Sequence, residues 1–221
     1  MTTLITLFEH YALVSLEKQA RLFQVLGEHA LELDLDAGIA RFGDGRAYPF
    51  QVIGTESDNS LTWLWAWADE QSEVPDSMLR SVRTLKAWGA DQGIPEFTLP
   101  SLDLDRADGT LLSLIASEVC GASGFYRDHY EGGALFLLLE GIALDERQVF
   151  DRQGLIRQLS DLASRYDFDH RNALASYLRA KGISFADTGP ALGAELASGE
   201  RLIAEFDAAG HVRTINGDPL P

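Results

Sequence analysis

Residues 31–68 alternate apolar and polar side chains with a period of two, broken only by short turn signals, and this pattern restricts the fold more than any other feature of the chain. Leu31, Leu33 and Leu35 alternate with Glu32, Asp34 and Asp36, the rhythm of a strand with one wet face. Ala37-Gly38 and Asp44-Gly45 are turn dipeptides, the second a good hairpin signal because glycine accepts positive φ. Two more strands follow at 46–54 and 60–68, joined through Glu56-Ser57-Asp58-Asn59. Neighbours joined by such short turns run antiparallel. The expectation for 31–68 is therefore a four-stranded antiparallel meander, and a doubly wound parallel sheet is disfavoured.

Helical periodicity frames this meander. Leu4, Leu7, Phe8, Tyr11, Val14, Leu22, Phe23 and Leu26 recur at helical spacing before Gly27, which predicts a helix over 4–27. Met78, Leu79, Val82, Leu85 and Trp88 predict another over 76–92, ended by Gly93 and Pro95. Residues 97–104 read as a short extended segment interrupted by Pro100, which suits a sheet edge. A third helix is expected over 109–121, and a hairpin over 124–141 turns at Gly132-Gly133. Further on, helices are expected at 146–165 and 169–181, a loose Gly/Ala/Ser-rich connection at 186–199, and a hairpin pairing 201–207 with 211–215. The tail from Asn216 is expected to fray. The fold class is α+β: an antiparallel sheet of about six strands with packed helices, plus a small C-terminal helix–helix–hairpin extension.

Charge divides the chain at the same place. Residues 1–144 carry 22 acids against 9 bases, whereas residues 145–221 carry 12 against 9. A shift of this kind marks a module boundary, so the domains are read as 1–144 and 145–221. The net charge of −16 repels nucleic-acid backbones and anionic membrane surfaces. It is compatible with a basic protein partner.

Cys120 is the only cysteine, which rules out an intrachain disulfide and a cysteine-based zinc site. Its apolar helical surroundings suggest a buried structural thiol. The N-terminus lacks the basic segment and cleavage site of a secretory signal, and the apolar runs are shorter than the roughly 20 residues that span a bilayer. The expected setting is the cytoplasm.

The segment Phe50-Gln-Val-Ile-Gly-Thr-Glu-Ser-Asp-Asn-Ser-Leu-Thr-Trp-Leu-Trp-Ala-Trp-Ala resembles the signature of a bacterial domain-of-unknown-function family, marked by Thr-Glu-Ser-Asp-Asn followed by Trp-x-Trp-x-Trp. The similarity extends over roughly residues 8–142 and takes in the N-terminal helix and the 125–140 hairpin. It implies a shared fold for the first two thirds of the chain and transfers no activity.

Three groups of residues could carry chemistry. Alternation places Trp63, Trp65 and Trp67 on one face of a strand, either as core under helices or as the aromatic wall of a ligand pocket. Leu64 and Ala66 make the other face apolar too, which favours core. Glu56 and Asp58 sit at a turn where two carboxylates could meet a cation or move a proton, although Asp, Asn and Ser also stabilise turns through their own backbone. Arg127, Asp128 and His129 form the most enzyme-like cluster, with Arg127, His129 and Glu131 on one strand face and Tyr126, Asp128 and Tyr130 on the other. The plain alternative is an exposed face with cross-strand charge pairing.

His10, His29, His170 and His211 show no metal-ligand spacing, and Asp169 before His170 reads as a helix N-cap. No phosphate loop, dinucleotide fingerprint, nucleophile elbow or zincin motif occurs, and no metal or cofactor is expected. These features favour a non-catalytic binding protein, with a basic protein partner as the leading candidate. The alternative is a small-molecule or enzymatic pocket lined by the Trp strand and the His129 cluster.

Overall fold

The computed structural model describes residues 2–27, 30–43, 45–145, 149–216 and 218–219. Asp44 of the expected turn, His29, residues 146–148 of the expected helix and the last two residues of the tail lie outside these. The chain is α+β and divides into two units, one of residues 1–4 and 18–144 and one of residues 5–17 and 145–221. Helix α1 (Leu4–Leu26) thus contributes its first turns to one unit and its last turns to the other.

In the first unit, β1 (Leu31–Asp34), β2 (Ile39–Phe42), β3 (Arg46–Ser57), β4 (Thr62–Trp65) and β5 (Ser101–Asp103) follow one another across an antiparallel sheet. The hairpin β6 (Gly124–Tyr130) and β7 (Gly133–Leu139) joins through β7, which pairs with β3, making seven strands. Its last strand in sequence therefore lies in the middle. The β3–β7 register slips between Val52 and Gly54, and the extra residue, Ile53, is a bulge that bends this long strand.

Helices α2 (Arg80–Gln92) and α3 (Gly109–Val119) complete the unit. Gly93 ends α2 in the left-handed conformation (φ 70°) and donates its N–H to Ala90 O, while the next residue, Ile94, donates to Gly89 O. Asp108 caps α3 by accepting from Leu111 N. The last turns of α1 are tied to the sheet through Gln19, whose amide donates to Phe125 O and accepts from Phe125 N. That exchange satisfies the edge of β6 as a partner strand would. Arg46 donates to Val25 O at 2.7 Å, occupying a carbonyl that the end of α1 leaves free.

The strand rich in tryptophan is shorter than its sequence pattern. β4 ends at Trp65, and Ala66–Ala68 form a 3-10 turn. Trp63 and Trp65 share one face, as period two requires, but Trp67 leaves the row. It packs beneath Lys86 of α2, whose Nζ stands 3.4 Å from its ring centroid.

The second unit holds α4 (Arg152–Arg165) and α5 (His170–Ala180), capped by Asp151 and Asp169, which accept from Gly154 N and Asn172 N. It also holds an antiparallel sheet of β8 (Phe185–Asp187), β9 (Ala191–Glu195), β10 (Arg201–Phe206), β11 (Val212–Ile215) and β12 (Asp218–Pro219). Half of the expected loose connection at 186–199 is thus strand, and Asp218–Pro219 of the expected frayed tail pairs with β11. Leu192, Ala194, Leu202, Ala204, Phe206 and Ile215 are all buried, which is the face that holds the sheet in place. At the core of this unit Glu17 accepts from Phe150 N (2.8 Å) and Tyr177 Oη and pairs with Lys181. A buried carboxylate is tolerated because both of its oxygens face a donor.

Candidate functional site

The first question at the candidate site is whether the indoles are open to a ligand. They are not: Trp63 and Trp65 are both 0% exposed. Trp63 meets Trp65 and Phe136 edge-on, each at 5.2 Å, and Trp65 meets Phe97 at 5.8 Å. Register places Glu56 opposite Trp63 and Gly54 opposite Trp65. Gly54 and Gly109 fill the remaining space by having no side chain. A Cβ on Gly54 would come within 2.5 Å of Leu64 O, and one on Gly109 within 2.6 Å of both Phe136 and Trp63. Trp65 Nε1 donates to Glu96 O at 2.9 Å. These two indoles pack as core, in place of the pocket wall that the pattern allowed.

Glu56 shares this face and is only 5% exposed. Its Oε1 accepts from Gly109 N (2.6 Å) and its Oε2 from Arg127 Nη2 (2.8 Å). The first contact supplies an acceptor to one of the free N–H groups at the start of α3, where the helix dipole also favours a negative charge. Arg127, with its guanidinium 5.5 Å over Phe136, reaches back across β7 to do the rest. Glu56 is thus a brace between β3, β6 and α3 and is not displayed at the turn.

The remaining candidates separate. Asp128 pairs with Leu135 on the sheet face opposite Arg127 and His129. Beside it, burial and then the Asp128 charge push the Tyr126 hydroxyl above its ordinary pKa. His129 is exposed, so the Arg127, Asp128 and His129 trio does not converge on one point. Among the described residues, no group of three His, Cys, Asp or Glu side chains could hold a metal ion, and no helix is long and apolar enough to cross a membrane. Cys120 Sγ donates to Ser81 O, and burial with the Glu140 charge raises its pKa to about 11, so it is a thiol at neutral pH.

What the structure does bring together is the end of the sheet where two hairpins turn. Asp58 N donates to Gly132 O at 3.0 Å, which joins the β3–β4 turn to the β6–β7 turn. Leu61 follows Asp58, Asn59 and Ser60 in the first turn. It is 63% exposed and has φ of 52°, a left-handed conformation that costs a non-glycine residue about 1 kcal/mol. Its carbonyl is held by Leu104 N at 2.9 Å. Tyr130, at the foot of the second turn, is 51% exposed. Around them Asp58, Asp103, Asp105 and Glu131 are exposed. The basic groups nearby are engaged elsewhere, Arg106 with Glu96 (2.7 Å) and Arg127 with Glu56.

Of the sequence candidates, only Asp58 lies on this surface, with His129 one residue before Tyr130. Leu61, Asp103 and Asp105 were missed because alternation read Leu61 as part of a strand and did not place 103–105 beside it. No curated protein and no solved structure matches the chain. Residues 5–142, which hold α2, α3, the whole seven-stranded sheet and all but the first residue of α1, match a family of unknown function (DUF6882). The chain belongs to that family.

Proposed function

We propose that this chain is a non-catalytic binding protein of the bacterial cytoplasm that docks a basic protein partner on the joined hairpin tips. The observation that carries the reading is that Leu61 and Tyr130, large side chains, are left exposed on the two joined hairpin ends, beside exposed acids that form no ion pair among the described residues, the nearby Arg106 and Arg127 being held by Glu96 and Glu56. Exposed apolar residues rimmed by charge are the anatomy of an interface, with the centre supplying affinity and the rim supplying steering and selectivity. The held turn supports this further, because a surface fixed before binding loses less entropy on association. The excess of acid in residues 1–144 extends the attraction over longer range.

The test is affinity capture from cell extract, with the full chain and with an Asp58→Lys/Asp105→Lys double variant as baits. The wild-type chain is expected to retain basic proteins that are released as salt is raised, because added ions screen the rim. Reversing the two rim charges is expected to weaken binding of such a protein by about tenfold or more, mainly by slowing association. The variant should melt with the wild type, since both positions are exposed. Capture that ignores both salt and the charge reversal would overturn the reading.

A further inference from the structure

The second unit contains a cluster that the proposed docking surface does not use. His170 is the first residue of α5 and is 7% exposed. Its Nδ1 accepts from Val212 N, the first residue of β11, at 3.2 Å. Next to this contact Arg171 N donates to Gly210 O at 3.0 Å. The turn between β10 and β11 is thus held to the first turn of α5 by two hydrogen bonds, one of which ends on a titratable atom.

We propose that His170 is a pH-sensitive latch, holding the β10–β11 hairpin against α5 while its imidazole is neutral and releasing it when the imidazole takes a proton. A neutral imidazole has one acceptor nitrogen and one donor. Because Nδ1 accepts from Val212, the proton belongs on Nε2. In the imidazolium both nitrogens are donors, so an Nδ1–H would face the Val212 N–H and the bond could not persist. Protonation and the latch contact exclude each other.

The surroundings determine where this happens. The His211 ring lies 5.1 Å from His170, with its Nε2 3.1 Å from Asp167 Oδ1 and its Nδ1 3.9 Å from Asp207 Oδ2. The Phe168 ring lies 4.6 Å from the same imidazole. From α1, Glu9 accepts from Asp169 N and Asn172 Nδ2, adding a buried carboxylate near the helix start. Burial first, and then the His211 charge, lower the His170 pKa below its ordinary value, while Asp169, Asp167 and Asp207 oppose the shift. With a lowered folded-state pKa, the contribution of the latch is complete above the ordinary histidine value near 6.5 and is lost as pH falls through the lowered value. A cleft of about 450 Å³ beside the hairpin, lined in part by Asp169, Arg171, Asp207 and Arg213, would change shape on release.

Amide hydrogen exchange at Val212, expressed as a protection factor between neutral and acidic pH, tests this. Leu196 N, which donates to Glu200 O, serves as the control. Protection at Val212 is expected to fall by about tenfold per pH unit once His170 titrates, as one coupled proton requires, while Leu196 stays level. His170→Asn places a non-titrating oxygen near the position of Nδ1 and is expected to hold Val212 protected throughout. His211→Gln removes the opposing charge and is expected to move release to higher pH. Flat Val212 protection in the wild type, an equal fall in His170→Asn, or no displacement in His211→Gln would each overturn the proposal.

Discussion

Trp63→Ala is expected to lower stability by about 3–5 kcal/mol, the range for truncating a large buried aromatic. In a chain of this size that is a fall in Tm on the order of 10 °C. The reason lies in what surrounds the ring. Trp63 has no exposed surface and touches Trp65 and Phe136. Gly54 and Gly109 are kept bare by its presence. Removing the indole leaves a cavity that a sheet on one side and a capped helix on the other cannot easily close. Thermal unfolding followed by circular dichroism measures the loss. A Trp63 that lined an open ligand pocket would behave differently, since truncation would leave Tm within about 2 °C of wild type.

Glu56→Ala carries the second large effect, about 2–3 kcal/mol. The residue is buried, and its carboxylate serves two donors that cannot both find another acceptor. Gly109 N sits at the first position of α3 beneath Trp63, and leaving a buried donor unmatched costs about 1–3 kcal/mol. The partner side weighs less, because the Arg127 side chain is 39% exposed and water can take over its solvation. Arg127→Ala should therefore lose less than Glu56→Ala in urea unfolding, and the double variant should lose little beyond Glu56→Ala alone. Equal losses for the two single variants would show that the ion pair matters more than the helix contact.

These two residues also show where sequence reading reaches and where it stops. The meander, the 124–141 hairpin and the cap at Asp169 are visible because periodicity, turn dipeptides and N-caps act within a few residues. The roles of Glu56 are not, because its partners lie 53 and 71 residues away. Read locally, Glu56 and Asp58 look like equivalent turn acids; but β3 runs on through Ser57, which turns Glu56 inward opposite Trp63, while Asp58 lies past the strand end in the wet turn. Trp67 continues the pattern of the strand, yet the chain turns at Ala66 and Lys86 of α2 takes its ring. The 186–199 run offered no signal, since Gly, Ala and Ser carry little strand propensity. Its strands exist because Leu192 and Ala194 find buried places opposite Ala204 and Leu202. Leu61 is the instructive miss: a strand pattern starting two residues early hid an exposed side chain held in a left-handed turn.

The central claim separates a tryptophan-rich core from a docking surface at the hairpin tips. A single 1H–15N spectrum of the full chain, followed during titration with a Lys/Arg-rich peptide that carries one leucine, examines both at once. Salt-sensitive shifts at the amides of 58–61 and 130–133, with the indole N–H signals of Trp63 and Trp65 unmoved, are the expected outcome. Shifts concentrated on those two indoles while the turns stay silent would contradict it.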